Sequence, residues 1–262
     1  MQTVDKAMKL LGLFSVSSPE IGLSELARQA SFDKAATRRF LVALSHHGLI
    51  EQNSETRAYR LGPAFVRYAR VREATRPLAS IIQPVLETLV HQTKETAHAT
   101  LAAGFELATI GSAEPQRPTR VSIDPAQTLP LHATASGLAY LAFAPDGTLD
   151  AFLKSRKLQR YTQRTAIAAK AVRSLVAEAR AAGYGIVRGS FEDEVVGIAA
   201  PFFDQAGKAI GTVAVASVAS RFTSQSQGQI PALVLHAAAA ITRDIGGEPH
   251  HSQLTATEGA DA

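Results

Sequence analysis

Between Leu23 and Leu61 the residues leave the chain few ways to fold. Ser24 can N-cap a short helix over residues 25–30, with Leu23 and Leu26 turned inward. Ser31-Phe32-Asp33 forms a tight turn, and Asp33 can cap a longer helix over residues 34–46. Phe40, Leu41 and Leu44 make the apolar side of that helix, while Lys34, Thr37, Arg38 and Arg39 crowd its first turns. Gly48 ends it. Residues 49–52 and 58–61 then read as two short strands around the polar tip 53–57, with Arg57 at the tip and Arg60 on the return strand. Upstream, Val4, Ala7, Met8, Leu10, Leu11 and Phe14 recur at helical spacing, so residues 4–15 form an amphipathic helix broken by Ser17-Ser18-Pro19 and Gly22. Helix, short helix, three-residue turn, longer helix and hairpin is the order of a winged helix-turn-helix. There the start of the longer helix reaches base edges in the major groove of double-stranded DNA.

Charge agrees with that order. Residues 1–76 hold 12 Lys and Arg against 7 Asp and Glu, whereas the remaining 186 residues hold 15 against 16. The whole positive excess behind the formal net charge of +4 thus sits in the first third, as in a polyanion-binding module joined to a neutral partner. Taken alone, such segregation fits ordinary surface scatter equally well. The joint order of turn, basic helix start and basic wing decides against a merely solvated helical domain. Arginine pairs bidentately with guanine or phosphate, so its placement counts as much as its number.

A chain of 262 residues has room for two domains, and its 46% apolar and 19% charged residues are those of a globular protein. Cysteine is absent, which excludes disulfides, thiolate metal sites and thiol nucleophiles and fits a reducing cytoplasm. The N-terminus lacks the apolar core of a signal peptide, and the longest apolar run, 209–219, is far short of the ~20 residues a membrane span needs. A cytoplasmic protein without a membrane partner is expected.

After the wing, residues 63–75 can form a helix bearing Arg67, Arg70 and Arg72, and Pro77 marks a break. The expected division is therefore 1–62 for the winged domain, 63–76 for a linker helix, 77–246 for a second domain and 247–262 for a disordered tail. In the second domain, helices are expected over 78–93, 134–143, 168–182 and 225–245. Strands are expected over 96–103, 107–112, 119–123, 184–188, 197–203 and 209–217. Strand runs flanked by helices at both ends point to an α+β domain with a mostly antiparallel sheet.

The phrases VDKAMKLLGLF, LSELARQASFDKAATRRFLVAL and YRLGP resemble the DNA-binding domain of the IclR family of bacterial regulators. LPLHATASGLAYLAF, GYGIVRG and GIAAPFFDQAGKAIGTVAVAS resemble that family's effector-binding domain, so the likeness runs from about Val4 to Gly246. The resemblance implies a GAF-like fold for the second domain, and homodimers or dimers of dimers. It also implies a DNA operator and a small-molecule effector as partners, with no cofactor. It places Lys34, Ala35, Thr37, Arg38 and Arg39 on the recognition helix and Arg57 on the wing, and Ser24 and Arg60 complete the expected DNA-binding set. Members usually carry Ser-Thr where this chain has Ala36-Thr37, so one hydroxyl is lost.

Carried over in the same way, Val121, Leu129, Ala135, Ser136, Val187, Gly197, Ala214 and Ala216 are the expected lining of the effector cavity. Ala214 and Ala216 lie two apart on one strand and share a face. Ser136 lies at a helix N-terminus, where free backbone N–H groups favour a carboxylate. Members that sense very small oxo-acids place acidic, thiol and hydroxyl groups where this chain has Val187, Gly197, Ala214 and Ala216. A two- or three-carbon oxo-acid would leave its oxygens unpaired in such a cavity. A carboxylic acid with an apolar or aromatic body fits better, although Ala214 and Ala216 as packed core is an equal reading.

Other signals carry less. Ser31-Phe32-Asp33-Lys34 matches the S-x-x-K nucleophile motif but forms the turn of the helix-turn-helix and lacks the companion motifs. No G-x-S-x-G, phosphate loop, zinc-protease or dinucleotide motif occurs. His46-His47 and His250-His251 read as surface pairs, not metal ligands. His98 and His132 read as hydrogen-bonded structural residues, and Glu192-Asp193-Glu194 as a solvated loop. An enzyme built on the second domain, or a DNA-packaging protein without a sensor, are the competing functions. The first would need a nucleophile–base pair or metal cluster that the sequence does not offer. A ligand-responsive regulator of a catabolic operon is the expected function, with no catalysis and no metal.

Overall fold

A computed structural model describes residues 2–15, 18–75, 78–155, 157–204 and 206–248. The chain divides into two compact units, 1–77 and 78–262.

In the first unit α1 spans Gln2–Leu11, α2 Leu23–Ala30 and α3 Lys34–His46. Strands β1, Ile50–Gln52, and β2, Tyr59–Leu61, form an antiparallel hairpin, and α4 covers Ala64–Thr75. The first helix stops at Leu11, short of the expected residue 15, where Gly12 closes a turn onto Met8. Phe14 still packs inside with Leu10, Leu26, Leu41, Leu44, Ile50 and Tyr59. Asp33 caps α3 as expected, its side chain accepting from the Ala36 N–H at 2.7 Å. Ser24 does not cap α2. The helix begins two residues earlier, so the cap position falls on Gly22, which offers no side-chain bond, and Ser24 stands exposed in the first turn. Ile21 exchanges backbone bonds of 2.9 Å with Tyr59 and adds a third short rung beside the hairpin. Gly62 has a steric role at the hairpin exit. A Cβ there would lie 2.3 Å from the Gly48 carbonyl oxygen, so a side chain would push the wing off the end of α3.

The second unit opens with α5, Ala79–Thr93, then β3, Thr96–Ala103, β4, Glu106–Ala113, and the two-residue β5, Leu129–Pro130. It continues with α6, Ala135–Phe143, α7, Thr148–Ser155, and α8, Ala169–Ala182. Strands β6, Gly185–Arg188, β7, Val195–Phe203, and β8, Ala209–Val218, lead to α9, Ser224–Asp244. The six strands make one sheet in the order β5-β4-β3-β8-β7-β6, every neighbouring pair antiparallel. Helices α5 and α9 cover one face through Ile82, Leu86, Leu89, Ile230, Val234 and Ile241. Helices α6, α7 and α8 build a second core beyond the other face, with Leu138, Phe143, Phe152, Val172 and Val176. Alternation along β3 and β8 sends Ala97, Ala99, Val213 and Val215 to the first core, and Thr96, His98, Ala214 and Ala216 to the opposite face.

Residues 119–123 do not form the expected strand. They run as a loop between Pro118 and Pro125, held where the Thr96 hydroxyl donates to the Val121 carbonyl at 2.6 Å. The helix α7 was not anticipated from sequence. The expected tail from 247 lies, from residue 249 on, outside the described residues, as do Ser17 and Pro77.

Candidate functional site

The first unit presents a basic helix end. Lys34 is the first residue of α3, and Lys34, Ala35, Arg38 and Arg39 are exposed. Among the described residues Arg38, Arg39 and Arg57 make no ion pair, so their guanidinium groups are uncommitted. Arg57 stands exposed at the wing tip with φ 60°, a left-handed turn fixed by its N–H bond to the Asn53 carbonyl at 3.0 Å. A helix N-terminus carrying free basic side chains is built to receive phosphate oxygens.

Two members of the expected DNA-binding set are placed otherwise. Thr37 is fully buried and its hydroxyl donates to the Asp33 carbonyl at 2.9 Å, so it secures the turn and faces no ligand. Arg60 is exposed but bound to Glu51 at 2.6 Å and Glu20 at 3.3 Å, which neutralises it. The Thr37 bond is local, four residues back to the cap, whereas the Arg60–Glu20 pair could not be read from a helix pattern, because the two are 40 residues apart in sequence.

The second unit holds a cavity beneath the start of α6. All eight residues expected to line an effector site border it: Val121, Leu129, Ala135, Ser136, Val187, Gly197, Ala214 and Ala216. Its volume of about 70 Å³ suits a small organic molecule, since one water needs roughly 10–15 Å³. Strand register makes the floor. Thr96, Ala216, Gly197 and Val187 form one row across β3, β8, β7 and β6, and His98, Ala214, Ala199 and Gly185 form the next. Small residues let α6 settle close to this floor. A Cβ on Gly185 would lie 2.4 Å from the Ala135 carbonyl oxygen, and one on Gly197 would meet the Ala135 methyl at 3.3 Å. Thr134 caps α6 by accepting from the Gly137 N–H at 3.0 Å, which leaves the Ala135 and Ser136 N–H groups at the helix end beside the cavity.

Sequence reasoning missed several of the lining residues, three of them titratable. Glu192, expected in a solvated loop, borders the cavity together with Asp124, and among the described residues no Lys or Arg does. His98, expected to be hydrogen-bonded, also borders it. The ring is 6% exposed, and neither Nδ1 nor Nε2 has a hydrogen-bond partner. His132 does match expectation, with Nε2 at 2.8 Å from the Gln159 carbonyl oxygen. Among the described residues no group of three His, Cys, Asp or Glu is placed to hold a metal, and no helix is long and apolar enough to cross a membrane.

Burial pushes the His98 imidazole down from 6.5 to about 4. The folded protein keeps the ring neutral at pH values where the unfolded chain takes up a proton. Its contribution to stability is therefore complete above pH 6.5 and is lost as pH falls towards 4. Chemical denaturation is expected to show a loss of up to about 3 kcal/mol from this group between pH 7 and pH 4. The variant His98→Leu should lack that component; an unchanged acid slope in the variant would mean that the ring does not titrate in this way.

A family model described as Bacterial transcriptional regulator IclR C-terminal matches residues 74–243, and one described as IclR helix-turn-helix domain matches residues 3–54. The HTH-type transcriptional regulator BhcR of Paracoccus denitrificans is 29% identical over 238 residues, 91% of this chain and 85% of that protein. The transcriptional repressor IclR of Escherichia coli is 26% identical over 254 residues, 94% of this chain and 91% of that protein. Among solved structures, a putative IclR transcriptional regulator from Silicibacter sp. TM1040 superposes with a TM-score of 0.85 at 37% identity, covering 95% of this chain and 98% of that one. An IclR homolog from Microbacterium hydrocarbonoxydans, complexed with 4-hydroxybenzoate, shares the fold with a TM-score of 0.73 at 22% identity, covering 93% and 98%.

Proposed function

The chain belongs to the IclR family of bacterial transcriptional regulators, and from that premise we propose that it controls a catabolic operon in the cytoplasm in response to a small monocarboxylic acid with an apolar or aromatic body. The observation that carries the reading is the convergence of eight separated residues on one small cavity at the N-terminus of α6. The carboxylate lies against the Ala135 and Ser136 N–H groups, and the body lies over Val121, Leu129, Val187, Ala214 and Ala216. Among the described residues the lining adds two carboxylates and no cation, so a second anionic group on the ligand would be repelled. The relative crystallised with 4-hydroxybenzoate supports an acid of this class.

DNA is read by Lys34, Ala35, Arg38 and Arg39 at the start of α3, with Arg57 on the wing. Two readers are needed for a pseudo-palindromic operator, so the active form is a homodimer or a dimer of dimers. Exposed Val4 and Met8 on α1, and Phe65, Val66, Tyr68 and Val71 on α4, offer the apolar surface for pairing. Effector binding changes operator affinity only to the extent that it favours one arrangement of the two readers over another.

A thermal-shift screen of the full chain against aliphatic and aromatic monocarboxylates, with dicarboxylates of the same size as controls, tests this. A ligand present at 100 times its Kd should raise the melting temperature by roughly 5–10 °C, and dicarboxylates should do less. Stabilisation by dicarboxylates alone, or by no acid, would contradict the assignment.

A further inference from the structure

We propose that His98 selects the effector by pairing, as a neutral imidazole, with a hydroxyl group on the acid's body. The inference rests on the cavity reading above and extends it to a residue and a chemical class, a hydroxylated monocarboxylic acid. His98 stands on the cavity floor directly across the β3–β8 ladder from Ala214, in a row completed by Ala199 and Gly185. Both ring nitrogens lack a partner and are closed to solvent. Leaving such groups unpaired is costly, and native proteins seldom tolerate it without a use. Of the nearby hydroxyls on the same face, that of Thr109, cross-strand partner of Thr100, is also unpaired, but those closest in register to His98 are satisfied. The Thr100 and Thr212 hydroxyls bond each other at 2.7 Å, and the Thr96 hydroxyl bonds the Val121 carbonyl at 2.6 Å. His98 is thus a polar side chain of the cavity floor held in reserve.

The chemistry narrows what can meet it. A neutral imidazole offers one N–H donor and one nitrogen acceptor. A carboxylate can only accept, and its place is taken by the backbone N–H groups of Ala135 and Ser136. A hydroxyl can donate or accept, so it suits whichever nitrogen the ring turns towards the cavity, and rotation about χ2 is soft enough to present either. Burial keeps the ring neutral through the physiological range, so this pairing is insensitive to pH there.

Titration of wild type, His98→Leu and His98→Gln with benzoate, 3-hydroxybenzoate and 4-hydroxybenzoate tests the assignment. Wild type should bind one hydroxybenzoate at least about tenfold more tightly than benzoate, as expected where a site's polar group would otherwise stay unpaired. His98→Leu should reduce that ratio to near one, and His98→Gln, which keeps a donor and an acceptor, should retain part of it. Without ligand, His98→Leu should melt roughly 2–6 °C higher than wild type, because two unpaired nitrogens are removed. A hydroxyl preference that survives in His98→Leu, a wild type without such preference, or a ligand-free leucine variant that melts lower, would each overturn the inference. If wild type responds to no acid in the wider screen, the cavity reading fails first and this inference falls with it.

Discussion

The double variant Arg38→Ala/Arg39→Ala is expected to lose operator affinity by about 100-fold or more, with melting temperature and effector affinity unchanged. Both side chains are exposed near the start of α3 and carry no ion pair among the described residues, so their removal breaks nothing in the fold. A bidentate Arg–guanine contact is worth about 1–3 kcal/mol, so two lost contacts span from tens to thousands of fold. The salt dependence of binding should also become shallower by about one unit of slope for each phosphate contact removed. Fluorescence anisotropy with the upstream region of the regulated operon measures both effects. The pairing of Arg60 with Glu51 and Glu20 makes Arg60→Ala the control, with a far smaller loss. Full affinity in the double variant would move the reader away from α3.

A comparably large effect is expected at the cavity. Ala216→Leu places three extra carbons on the floor of a cavity of only about 70 Å³, where they compete directly with the body of the acid. Forcing a ligand into an overfilled site costs about 1–3 kcal/mol or more, so effector affinity should fall between roughly tenfold and a few hundredfold. Ala214 is the poorer choice for this experiment, because it is packed with Ala135, Ala139 and Ala199 under α6 and a large side chain there would lift the helix. DNA binding by Ala216→Leu without effector should match wild type. An effector dose response identical to wild type would place the ligand elsewhere.

The helix-turn-helix was legible because its signals are local. Asp33 caps the helix that starts at the next residue, Gly48 ends it, and the apolar spacing of Phe40, Leu41 and Leu44 needs no distant partner to be recognised. Pairs β3–β4 and β7–β8 were legible for the same reason, since each is joined by a short turn with a glycine at positive φ. The segment 119–123 was misread because its alternating residues look like a strand, while its path is set by a bond from Thr96, 25 residues earlier. The start of α2 moved by two residues because both Gly22 and Ser24 can stand at a helix boundary, and the packing of the short helix chose between them. Thr37 is held by the Asp33 carbonyl one turn upstream, whereas Glu51 and Glu20 reach Arg60 only once the chain has folded.

The sequence alone thus determined that a basic helix-turn-helix with a wing precedes an α+β domain with a mostly antiparallel sheet. Those properties follow from spacing, capping and ordered motifs, which act within a few residues or repeat along the chain. Only the tertiary structure decided which charges stay free for DNA and which polar groups the cavity leaves unpaired. Arg38 and Arg60 are alike in sequence, but among the described residues one makes no ion pair and the other makes two. His98 and His132 are alike in type, but the fold supplies a carbonyl to one and nothing to the other. Pairing and burial are properties of surroundings assembled from distant segments, and they exist only once the chain has closed around them.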